Sequence, residues 1–452
     1  MPRRGERCLR MLGLAWVGAA MCAAQAADKV DRFGGFRAIK LESTGWFRVA
    51  QAGERSFLVT PEGHAFVALG VNHAGALDRG AAAWERRREA LVEQLRGWNM
   101  DNLGYGGPPE LERTLPYFAA ITLARVEKHR SDPVAGRPDS YVFPDVFDPA
   151  WQKAVESEIE NGCARHRENP FLIGYFWTDT PTWDVVKTRG LRGTDWVSEI
   201  RKLPAKAPGR RRYAEFLAKR YDGRLADLNT IYGLELNSLE ALATADLSRV
   251  AIGRHVAGED DRAFLGEIAR QFYETAGTAQ RKCDPNHLVF GDRYLAGDAP
   301  ANVLKVAAPH IDSVSVQPGD RYTKQYPPST RFPERVIERL HRLTRKPVLI
   351  CDHAISFPVP GQPKTIFEQM PTQEEAARAT EAFVRQAYAK TYMLGYLRCQ
   401  YVDRPAGFGR GLRQGLVDAE GRPYEAMTAA YRRVFGEWVE MLVRSLTGSP
   451  RI

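Results

Sequence analysis

Two aspartates could carry hydrolytic chemistry in this sequence. Asp179 closes the run Leu172-Ile173-Gly174-Tyr175-Phe176-Trp177-Thr178, and Asp352 closes Val348-Leu349-Ile350-Cys351. Both runs are short and apolar, as strands buried on both faces must be, and Pro181 stops the first. Polar and aromatic residues follow comparable runs elsewhere: Asn72-His73, Tyr105, Asp292-Arg293, Gln317, His353 and Asp403. In parallel α/β proteins the groups just past the strand ends face the ligand. Two carboxyls meeting there, one protonated and one ionised, suit cleavage of a glycosidic bond; a separation of about 5–5.5 Å implies retention and roughly 6.5–9.5 Å inversion. Aromatic faces stack on the C–H surfaces of sugars, and planar polar groups fork to vicinal hydroxyls. The expected catalytic pair is therefore Asp179 and Asp352. Asn72, His73, Tyr105, Trp177, Asp292, Arg293, Gln317, His353 and Asp403 are expected to line the sugar.

Each residue also has a structural reading. Asp179 could cap the helix after its strand, His73 could bond a neighbouring loop, and His353 could orient Asp352 or satisfy a backbone carbonyl. Asp292 with Arg293 reads equally as a buried ion pair, Asp403 with Arg404 as a cap on the last strand, and Trp177 and Trp183 as core. The histidines lack the paired spacing of metal ligands, so neither a metal nor a cofactor is expected.

Something must bring these residues to one place. Strand-like runs occur at 66–72, 100–105, 118–123, 172–178, 288–292, 311–317, 348–352 and 395–401, mostly separated by helix-like segments such as 82–98 and 374–393. Eight such alternations predict an α/β fold, a (β/α)8 TIM barrel, and no GxGxxG follows a strand to suggest a dinucleotide fold. The flanks of Ala52-Gly53-Glu54 alternate as a hairpin, which makes residues 27–63 an amino-terminal extension. The barrel is assigned to residues 64–440 and a tail to 441–452. The connection after the fourth strand, about 179–262, is far longer than one β/α link needs, with helical pieces at 213–221 and 225–232; it reads as an insertion walling the site.

Composition excludes several classes. Residues 1–26 combine Arg3, Arg4, Arg7 and Arg10 with an apolar run from Met11 to Ala23 and Ala24-Gln25-Ala26, a signal peptide cleaved after Ala26. Met21 before Cys22 argues against a lipid anchor. No later run approaches the ~20 apolar residues of a membrane-spanning helix, so a soluble exported protein, periplasmic or secreted, is expected. The formal charge of +9 falls to about +6 without the leader's four arginines and one glutamate, too little to argue for nucleic acid. The basic run Arg201, Lys202, Lys206, Arg210, Arg211, Arg212 reads as a solvated face. Cys163, Cys283, Cys351 and Cys399 show neither a CxxC pair nor metal spacing, although export permits one disulfide.

The chain resembles clan-A barrel glycoside hydrolases, the β-agarase and β-galactosidase-like groups above all. The likeness rests on Phe66-Val67-Ala68-Leu69-Gly70-Val71-Asn72, Asn169-Pro170-Phe171-Leu172-Ile173-Gly174-Tyr175-Phe176, and Arg220-Tyr221 through Leu228-Asn229 to Tyr232-Gly233. It continues in Lys346-Pro347-Val348-Leu349-Ile350 and in Gly415-Leu416-Val417-Asp418 with Gly421-Arg422-Pro423-Tyr424. The resemblance implies an acid/base after the fourth strand and a nucleophile after the seventh. Where those families place Asn-Glu, this chain has Asp179-Thr180, and their nucleophilic Glu is matched by Asp352. A side chain one methylene shorter costs about 1 Å of reach unless the backbone compensates. The expected function is that of an exported glycoside hydrolase acting on an oligo- or polysaccharide, with Asp179 as acid/base and Asp352 as nucleophile. The alternative is a carbohydrate-binding barrel without catalysis. The absent GxSxG argues against an α/β-hydrolase esterase, and oligomeric state is not legible.

Overall fold

The computed structural model describes residues 29–76, 81–121, 123, 143–247, 255–296, 299–318, 330–365, 368–404 and 414–448. The expected signal peptide lies outside them. Four antiparallel strands come first: β1 (Phe36–Lys40), β2 (Arg48–Ala52), β3 (Arg55–Val59) and β4 (His64–Phe66), in the spatial order β1-β4-β3-β2. The hairpin expected around Gly53 is β2 and β3.

Seven parallel strands follow: β5 (Ala68–Val71), β6 (Tyr117–Ala120), β7 (Leu172–Asp179), β8 (Leu288–Leu295), β9 (Val314–Gln317), β10 (Val348–His353) and β11 (Met393–Arg398). They pair in the order β5-β11-β10-β9-β8-β7-β6, with helices packed around them. This is the curved sheet of a (β/α)8 barrel. The eighth member expected at 100–105 is not a regular strand, yet it stands between β5 and β6. Gly70 bridges to Asn102, Asp101 N–H donates to Leu69 O at 2.8 Å, and Phe118 N–H donates to Gly104 O at 2.7 Å. Side chains interrupt its ladder: Asp101 Oδ1 accepts Leu69 N–H at 3.1 Å and Asn102 Oδ1 accepts Gly104 N–H at 2.9 Å. Only glycine fits at position 70, because a Cβ there would lie 2.2 Å from Asn102 Oδ1.

Alternation along the strands divides the core. Phe118, Ile173, Phe176, Phe290, Leu349, Cys351 and Leu397 share one buried cluster with Phe33, Phe47, Leu58 and Phe66 of the amino-terminal segment. The antiparallel sheet therefore plugs the amino-terminal end of the barrel, and aromatic rings fill the lumen: Phe118 stacks on Phe176 with centroids 5.0 Å apart and meets Phe290 edge-on at 5.0 Å. Trp177, Tyr175 and Tyr294 point the other way, into the helix layer.

The long connection after β7 forms helices Val185–Arg192, Trp196–Lys202, Pro208–Arg220 and Leu225–Tyr232 before the helix His255–Cys283 returns to β8. It is built around buried charge. Asp260 accepts Tyr221 Oη and Tyr232 Oη, each at 2.6 Å, and pairs with Arg220; Asp261 pairs with Arg201 and, at 3.1 Å, with Arg189. Of the basic run expected to be a solvated face, Lys202, Lys206, Arg211 and Arg212 are exposed, and two residues are the exception. Arg201 and Arg210 are buried, the latter donating to Leu242 O at 3.0 Å and Ala245 O at 2.6 Å. All four described cysteines are free thiols.

Candidate active site

The mouth is assembled where six strand ends meet. Tyr105, just past the irregular second strand, donates its hydroxyl to Asp352 Oδ2 at 2.5 Å. Arg293, on the inward side of β8, lays its guanidinium 4.1 Å from the Tyr105 ring centroid, a cation–π contact, and reaches 3.6 Å from Asp179 Oδ1. Gln317, ending β9, donates Nε2 to the same Asp179 oxygen at 2.8 Å. His73 meets the Tyr105 ring edge-on at 4.8 Å, its backbone N–H donating to Tyr105 O at 2.8 Å. Asp179, Arg293, Tyr105 and Asp352 thus form one chain of contacts across the mouth, flanked by Gln317 and His73.

Asn72 lies buried beneath them. Its Nδ2 donates to Cys351 O at 2.8 Å and its Oδ1 accepts Tyr105 N–H at 3.2 Å. A buried amide bonded at both ends fixes strand ends without offering spare polar atoms to a ligand. Asp179 does not cap the next helix; Asp184 does, accepting Val186 and Lys187 N–H at 3.0 and 2.9 Å.

Four of the expected lining residues stand elsewhere. Trp177 is buried against Tyr273, with Nε1 3.3 Å from Gln280 Oε1. Asp292 accepts Tyr273 Oη at 2.6 Å, Trp183 Nε1 at 3.2 Å and Thr178 N–H at 3.2 Å. His353 stacks on Phe383 at 3.9 Å and bonds Tyr396 Oη at 2.6 Å. Asp403 secures the segment after the last strand, accepting Gly415 N–H at 2.6 Å and Tyr424 Oη at 2.7 Å. One group at the mouth was not singled out by the sequence. Cys399, directly after β11, offers its sulfur beside Asp352 and His73; its position after a strand was the available signal.

The electrostatics of the two carboxyls differ. Burial raises Asp352 above the ordinary carboxylate range and the charge of Asp179 adds to this, while hydrogen bonds from Tyr105 and Cys399 pull it back. Burial also raises the Tyr105 phenol, and Asp352 reinforces the shift, so the phenol remains a donor. Burial disfavours charge on Arg293, but Asp179 and its neighbours outweigh that and keep it cationic. Asp179 therefore faces a cation and an amide donor, partners suited to a carboxylate rather than a carboxylic acid. Thr180, where the resembling families carry Glu, has the left-handed value φ +49° and donates its N–H to Arg293 O at 3.1 Å.

Barrel and mouth together define an α/β barrel with a polar, two-carboxyl opening at the carboxyl ends of its strands. No family model matches the chain. It is similar to β-agarase A of Vibrio sp. (strain JT0107), 25% identical over 364 residues that make up 76% of this chain and 35% of the relative. Against β-agarase B of the same strain it is 22% identical over 307 residues, 66% of this chain and 30% of the relative. The chain thus spans about a third of the length of these curated relatives. Among solved structures, an exo-β-agarase superposes with TM-score 0.76 at 19% identity, covering 92% of this chain and 68% of that one. BpGH50 superposes with TM-score 0.68 at 15% identity, covering 94% and 88% respectively. The fold is that of these solved structures.

Proposed function

We propose that the protein is an exported glycoside hydrolase acting on an agar-type galactan, with Asp179 and Asp352 as its carboxyl pair. The observation that carries this reading is the continuous contact chain Asp179–Arg293–Tyr105–Asp352 across the mouth. Similarity to β-agarases supports the substrate class, and the leader-like residues 1–26 support export.

The roles divide by environment. Paired environments that push two carboxyls apart assign acid and base. Burial favours a proton on Asp352, whereas Arg293 and Gln317 favour charge on Asp179. We therefore assign the donated proton to Asp352 and the charge-bearing role to Asp179, the reverse of the roles implied by resemblance. On this assignment Asp352 gives its proton to the leaving oxygen, while Asp179 attacks the anomeric carbon or takes a proton from the attacking water.

A reducing-end assay on agar and agaro-oligosaccharides tests the reading. Wild type should turn over repeatedly, and Asp179→Asn and Asp352→Asn should each lose about 10³-fold or more in kcat with unfolding temperatures nearly unchanged. Sugar binding without turnover would instead establish the non-catalytic barrel.

A further inference from the structure

The mouth holds a second constellation, which shares Asp352 with the carboxyl pair. His73, Asp352 and Cys399 each offer one ligating atom, and these atoms all lie within 4.8 Å of one another. They stand at the carboxyl ends of three strands neighbouring in the sheet, β5, β11 and β10. Imidazole, carboxylate and thiolate together form a donor set suited to zinc, and three protein ligands with one open position describe a site accessible to exchangeable ligands. In tetrahedral zinc sites, bond lengths of about 2.0–2.3 Å place ligand atoms roughly 3.5 Å apart, so side-chain adjustments of about 1 Å close this triangle.

We propose that the mouth is a zinc site formed by His73, Asp352 and Cys399, and that zinc there reversibly blocks the carboxyl pair. The site itself stands independently of the hydrolase reading; only the block on turnover rests on it.

Two further features support the site. The His73 backbone is held by its bond to Tyr105 O, and Gly106 leaves room beside the imidazole, where a Cβ would lie 3.1 Å from Nδ1. Zinc binding releases the protons of Asp352 and of the Cys399 thiol to solvent, and the divalent cation with the Arg293 guanidinium then balances the two carboxylates and the new thiolate.

The test uses the full purified chain, stripped with a chelator and dialysed against zinc chloride, with metal content measured per protein. One equivalent should be retained at micromolar zinc, and His73→Ala and Cys399→Ala should each weaken retention at least about tenfold. Cobalt chloride supplies a readout independent of folding in the variants: wild type should show a near-ultraviolet thiolate-to-cobalt band, and Cys399→Ser should lack it. No stoichiometric zinc, no band in wild type, or retention unchanged in both alanine variants would overturn the site. Zinc bound as expected while agar turnover is unaffected would overturn the block alone. Absence of agar turnover in the stripped enzyme would instead count against the hydrolase reading and leave the metal measurements intact.

Discussion

Period-two alternation limits what two neighbouring residues can do at a strand end. Asp292-Arg293 and Asp352-His353 were each expected to line the sugar, but one member of each pair faces the axis and the other the helices. Arg293 and Asp352 reach the mouth, while Asp292 and His353 bond within the outer layer. Residue types in the sequence located the strand ends; the face could not be read without register. The division of roles gives a direct prediction. An aryl glycoside with a strongly acidic leaving group needs no proton donor, so Asp352→Asn should retain far more activity on it than on agar, whereas Asp179→Asn should lose both. Equal losses on both substrates in both variants would reject the division. The pH profile supplies a second check. A donor must be protonated, so kcat/KM for agar should fall as pH rises through the raised Asp352 pKa, and the aryl glycoside should lack that basic limb.

Elements, rather than residues, account for the insertion and the second strand. The sequence placed helices near 213–221 and 225–232 within the insertion, but Asp260 and Asp261 lie in the long helix that follows, with their charges buried. Their partners Arg201 and Arg220 are distant in sequence, so nothing local revealed the pairing. Asp260→Ala strands Arg220 and two tyrosine hydroxyls, and we expect a loss of about 3–5 kcal/mol by denaturant unfolding. Gly70→Ala should cost about 2–4 kcal/mol by the same measurement, because its Cβ collides where the second strand closes the barrel. Asp292 joins β8 to the insertion's Trp183 and to the long helix, and burial lifts its pKa to about 6. A carboxyl raised in the folded state favours folding most when protonated, so its contribution declines as pH rises from about 4 to about 6. The stability of wild type relative to Asp292→Asn should therefore improve by up to about 3 kcal/mol as pH falls from 7 to 4.

The whole molecule was the most legible scale. Seven of eight expected strands are regular, the eighth occupies its expected place, and the amino-terminal hairpin is present. Its purpose was not legible, because a hairpin's sequence does not state what its apolar face covers. Phe47 and Leu58 join the lumen core, so Phe47→Ala should cost about 3–5 kcal/mol. Extension and barrel should still unfold in a single calorimetric transition; two separable transitions would show the hairpin to be an independent unit.

The same plug has a consequence for traffic. With aromatic rings filling the lumen and a sheet across its far end, the described residues leave no rear exit. On the proposed hydrolase reading, whatever enters this vessel must leave by the door it came in, so a departing fragment and an arriving chain would compete for one threshold, and the pace of clearance would set a ceiling on the pace of arrival.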